Sequence, residues 1–95
     1  MSTRTEFVNS IIAEALLRKV NEALTGQLPE GVQVVLEADD KEEAFGILAV
    51  DQHGHIQHVV ESTVGFGISD GEQRRWILNI LDGIAAGARL TAKYK

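Results

Sequence analysis

Residues 44–64 read AFGILAV DQHGH IQHVVESTV, two strand-forming runs on either side of Gln52-His53-Gly54-His55. Apolar and β-branched residues dominate both runs, as suits a pleated, half-buried surface. Glycine in the second place of His53-Gly54 marks a two-residue hairpin loop, although Asn or Asp would suit the first place better. The strands are then Ala44–Asp51 and His55–Val64, with Gln52 facing His55. Side chains alternate across a strand, so this register puts Phe45, Ile47 and Ala49 on one face with Ile56, His58 and Val60.

Upstream, Val32–Ala38 (VQVVLEA) alternates as a further strand, and the acidic run Asp39-Asp40-Lys41-Glu42-Glu43 makes a solvated turn. A two-residue turn at Asp40-Lys41 adds Val32, Val34 and Leu36 to the face of Ile47. The opposite face then carries Gln33, Val35, Glu37, Leu48, Val50, Gln57, Val59 and Glu61. One face is therefore core, and the other is an apolar stripe with a polar border.

A helix is expected on each side of this sheet in the sequence. Over residues 3–25, Val8, Ile12, Ala15, Leu16, Val20, Ala23 and Leu24 share a face, widened by Leu17, with Ser10, Glu14, Arg18 and Asn21 on the wet side. Ser2 or Thr3 caps the helix, Glu6 completes a capping box, and Gly26 stops it before the turn Leu28-Pro29-Glu30-Gly31. From about Asp70 to Lys93, Trp76, Ile77, Ile80, Leu81, Ile84, Ala85 and Ala88 form a second apolar face, capped by Ser69 with Glu72 or Asp70 with Gln73. Each apolar arc covers roughly 200°, twice what a surface helix needs. Gly83 and Gly87, four apart beside Trp76, each cost the helix up to about 1 kcal/mol relative to alanine, which a close helix–helix crossing would explain.

The order α-β-β-β-α defines an α+β fold: a single domain over residues 1–95, a three-stranded antiparallel meander packed with two helices. This order resembles the outline of the double-stranded-RNA-binding domain. At the start of the last helix, where that family carries a basic cluster, this chain has Asp70-Gly71-Glu72. The likeness is one of topology, and no residue is carried over from it.

Fourteen acidic against nine basic residues leave a net charge of −5, which opposes dominant nucleic-acid or membrane binding. The absence of cysteine excludes disulfides and thiolate metal sites and fits a reducing compartment. Glu6, Asn9 and Glu14 interrupt any signal-peptide core, and no apolar run approaches membrane length, so a cytoplasmic setting is expected.

No motif carries recognisable chemistry. His53, His55 and His58 are ligand types, but alternation puts His55 and His58 on opposite faces, so no metal is expected. Gly65–Gly71 places glycines before a helix, as phosphate loops do. It lacks the parallel βαβ setting and the lysine, and Asp70 and Glu72 would repel an anion. A small-ligand, metal-binding or enzymatic module using this loop and His58 is thus an alternative reading, with Ser62, Ser69 and Asp70 nearby but no nucleophile elbow. A basic strip of Arg74, Arg75, Arg89, Lys93 and Lys95 would suit a nucleic-acid binder, and the acidic run 39–43 a nucleic-acid mimic. Neither outweighs the ordinary reading of solvated charge.

The principal expectation rests on the sheet's second face. Burying Val35, Leu48, Val50 and Val59 contributes about 1.5–3 kcal/mol each, comparable in sum with the lower part of an association cost of about 4–15 kcal/mol. The sequence therefore points to a non-enzymatic protein-binding module without a cofactor, a regulator, adaptor or inhibitor acting as a homodimer. Its expected contact residues are Val35, Leu48, Val50 and Val59, with Arg75 and Trp76 on the last helix.

Overall fold

A computed structural model of the protein describes residues 3–63 and 69–94. The elements are α1 (Thr3–Val8), α2 (Ile11–Ala23), β1 (Gln33–Asp39), β2 (Ala44–Val50), β3 (Ile56–Ser62) and α3 (Asp70–Lys93). The three strands form one antiparallel sheet in sequence order, with β2 in the centre. The expected α+β meander is therefore present.

The N-terminal helix is not continuous. Ser10 turns extended, and its Oγ accepts the Ala13 N–H at 3.2 Å, so it caps α2 instead of lying on a wet helical face. A serine side chain competes for backbone donors in this way, and that competition favours caps over helix interiors. The break resets the helical phase: Ala13 is fully buried, while Ile12 and Ala15 stand in solvent. It also lets α1 swing over the sheet, where the Phe7 ring meets Phe45 edge-on at 5.5 Å. The Thr3–Glu6 capping box lies outside the described side chains.

The first hairpin loop holds four residues, 40–43, not two. Asp39 Oδ1 accepts the N–H groups of Lys41 and Glu42, both at 3.1 Å, and Glu43 takes a left-handed conformation at φ 52°. Two extra residues preserve side-chain parity. Val34, Leu36 and Ala38 therefore still share a face with Ala49, Ile47 and Phe45, their register partners.

The second hairpin differs by an odd number. Its loop is Gln52-His53-Gly54: Asp51 N–H donates to His55 O, Gly54 N–H donates to Asp51 O, and Gly54 sits at φ 80°. This is the three-residue connection that needs glycine at its left-handed position. Ile56 consequently pairs with Val50 and lies on the open face, not with Phe45 and Ile47 as the shorter loop implied. The register shifts again on either side of the Ala49–His58 and Leu48–Val59 pairs, leaving Gln57 and Val60 as the extra residues of two bulges. Glu61 thereby becomes the partner of Ile47, on the helix side.

All three helices lie on one face. The core joins Ala13 and Val20 of α2, Val34, Leu36, Phe45 and Ile47 of the sheet, and Ile77, Leu81 and Ala85 of α3. Helical contacts fall on β1 and β2, so β3 overhangs the helical layer. Two side-chain amides fasten the layers. Asn21, expected in solvent, accepts the Val34 N–H at 2.7 Å and donates to Val34 O at 2.9 Å, closing part of the free edge of β1. Gln73, buried in α3, donates to Glu43 O and accepts from Arg4 Nε, joining α3, the first hairpin loop and α1.

Candidate functional site

The open sheet face is built by alternation from Val35 of β1, Leu48 and Val50 of β2, and Ile56 and Val59 of β3. None of these belongs to the core cluster. Gly46 supplies its dip: a Cβ there would meet Leu48 Cδ2 at 3.8 Å, so Leu48 leans over the bare backbone. Between Val35 and Val59, its register partners, Leu48 is only 6% exposed, and Val50 is likewise buried. Val59 at 51% and Ile56 at 57% remain open. A shallow concavity of about 250 Å³ lies here, lined by Leu48, Ile56, Val59, Gly46, Ser62 and Glu37. Glu37 and Asp39 give its rim negative charge.

Of the expected contact residues, the fold brings Val35, Leu48, Val50 and Val59 together. It does not bring Arg75 and Trp76 to them, because α3 packs on the other side of the sheet. Leu48 and Val50 are already shielded by their in-sheet neighbours, so the transfer energy still available to a partner resides in β3. Ile56, exposed on this face, is the residue the sequence reading missed, and Val60, expected on the core face, is an exposed bulge residue. The available signal was the glycine of the loop, whose left-handed φ favours a three-residue connection and so the other face for Ile56.

Asp51 organises the second hairpin. The Asp51 carboxylate accepts the N–H groups of His53 and His55, both at 2.9 Å, and the Gln57 amide at 3.2 Å. The His55 N–H bond is the chief reason that its pKa falls below the ordinary 3.8, with burial opposing. His53 and His55 stand 6.1 Å apart at the loop, while His58 is exposed opposite Ala49 on the helix side. Among the described residues, no group of three or more His, Asp or Glu side chains is placed to hold a metal. In the Gly65–Gly71 segment, residues 65–68 lie outside the described residues. Ser69 Oγ accepts the Glu72 N–H at 3.3 Å and caps α3.

The basic strip is divided. Arg74 is bound to Asp70 at 2.6 Å and lies over the Phe7 ring at 5.8 Å, whereas Arg75 is exposed. Among the described residues, no helix is long and apolar enough to cross a membrane. No protein-family model matches the chain, and comparison with curated proteins and with solved structures gives no match.

Proposed function

We propose that this is a non-enzymatic protein-binding module, working as a homodimer and holding its partner on the β3 side of the open sheet face. The supporting observation is the pair Ile56 and Val59, large apolar side chains half or more exposed beside a dip with an acidic rim. Such a surface suits an apolar side chain flanked by basic residues on the partner. Binding proceeds through side chains, because bulges at Gln57 and Val60 disrupt the edge that strand addition would use. A regulator, adaptor or inhibitor in a reducing, cytoplasmic setting fits this reading.

The test uses Ile56→Glu and Val59→Glu. Both positions are exposed, so the melting temperature should stay near that of the wild type while capture of a specific protein from host lysate is lost. Equal capture by wild type and both variants would overturn the reading. So would a thermal shift produced by nucleotides or divalent cations that depended on these residues.

A further inference from the structure

The last helix carries a second open face, on the other side of the molecule. A helix of 24 residues is about 36 Å long, whereas seven-residue strands reach about 23 Å. The end of α3 therefore outruns the sheet, leaving Leu90 58% and Tyr94 75% exposed. At 100° per residue, half-buried Trp76 and Ile80 fall on one arc with Gly83, Gly87, Leu90 and Tyr94. From Trp76 to Tyr94 no charged residue has its Cα on that arc. Asp82, engaged by Lys19 of α2 at 3.1 Å, and Arg89 lie well round the helix, while Arg75 and Lys93 flank the arc and the Lys93 ammonium lies over the Tyr94 ring at 5.7 Å.

A close crossing among the described residues does not account for the two glycines: a Cβ at Gly83 or Gly87 would meet none of their atoms within 4 Å. The arc has a further property. About position 85, Gly83 mirrors Gly87, Ile80 mirrors Leu90, and Trp76 mirrors Tyr94. Glycine stands against glycine, aliphatic against aliphatic, aromatic against aromatic. A two-fold contact requires this self-complementarity, since residue i meets j and j meets i.

The size of the molecule agrees. Its accessible surface is 6148 Å², against about 5400 Å² for a compact monomer of its mass. The excess of roughly 750 Å² approaches the ~800 Å² that each partner contributes to a standard interface.

We infer that α3 packs antiparallel against α3 of a second copy, the two helices crossing closely at Gly83 and Gly87 about a two-fold axis near position 85. Trp76 of each chain then stacks by Tyr94 of the other, and Ile80 lies against Leu90. This deepens the homodimer of the reading above and leaves the β3 face free for the protein partner.

The chain has no cysteine, so introduced thiols report cleanly. Gly83→Cys and Gly87→Cys chains mixed under mild oxidation should cross-link to each other faster than either links to itself. In sedimentation at high micromolar concentration the wild type should be a dimer. Leu90→Glu should weaken association about tenfold or more. Gly83→Ala with Gly87→Ala should also weaken it while raising the melting temperature of the dilute monomer, because alanine favours the helix and has room. Self-linking of either single variant that is faster than linking of the mixture puts the helices parallel or the axis away from position 85, and overturns the inference. A dimer indifferent to Leu90→Glu and to both alanines, but broken by Val59→Glu, puts the contact on the sheet; the inference then fails and the homodimer survives. A wild type that stays monomeric removes both.

Discussion

Asn21 shows how one side chain can substitute for a missing strand. Its amide offers an acceptor and a donor, the same pair that a neighbouring strand would present to the outer edge of Val34. Replacing it with leucine leaves the Val34 N–H and C=O unpaired beneath α2. A stranded buried group costs about 1–3 kcal/mol, so Asn21→Leu should destabilise by about 2–4 kcal/mol. For a domain of this size the melting temperature should drop by ~10 °C or more, which calorimetry will register. This role is invisible on a helical wheel, where asparagine beside Glu14 and Arg18 looks like any solvated residue. Gln73 was hidden in the same way, as a capping partner by sequence and a buried three-way link by structure. Apolar periodicity locates the residues that water rejects. It is silent on which polar residues meet a backbone group from elsewhere in the chain.

At the scale of elements, legibility depended on parity. The first hairpin loop is longer than expected by two residues, and every face assignment in β1 survived. The second is longer by one, so Ile56 changed sides until the bulge at Gln57 restored His58 and Val59 to the expected faces. Bulges follow from how strands twist and pack, which alternation in one strand does not encode. The order, type and approximate limits of the strands were legible because apolar runs and turn residues agree there. The break at Asn9-Ser10 was not, because the apolar repeat continues across it. Ser10→Ala should remove the α2 cap and cost about 1 kcal/mol in chemical denaturation. The second hairpin has its own pH signature. Asp51 is held below its ordinary pKa, so between the folded and unfolded values the native state binds fewer protons. That contribution is fully present above the unfolded value and disappears as pH falls through the folded one. The denaturation midpoints of wild type and Asp51→Asn should therefore converge as pH falls below the ordinary carboxylate value of 3.8. A gap that stays constant through that fall would mean the carboxylate charge contributes nothing to the hairpin.

The whole molecule is a one-sided sandwich: three helices on one face of a small sheet, an open face behind, and a long last helix projecting past the end. Two separate surfaces result, and a wheel or an alternation pattern cannot separate them. The sequence reading merged Arg75 and Trp76 with Val35, Leu48, Val50 and Val59 because the direction of helix packing is a tertiary fact. Charge distinguishes how a dimer through α3 would behave from a generic ion-paired contact. Each chain carries −5, so two chains repel as they approach, while the arc from Trp76 to Tyr94 has the Lys93 ammonium over its Tyr94 ring and no acidic residue placed on it to pair with that charge. Screening shortens from about 10 Å at 0.1 M salt to about 3 Å at 1 M, which removes the repulsion and leaves the apolar contact intact. Self-association measured by sedimentation should therefore strengthen several-fold as sodium chloride rises over that range. A dimer held by pairs such as Glu72 with a basic tail would weaken under the same titration. The sign of the salt dependence thus separates an apolar α3 seam from an electrostatic one without a single substitution.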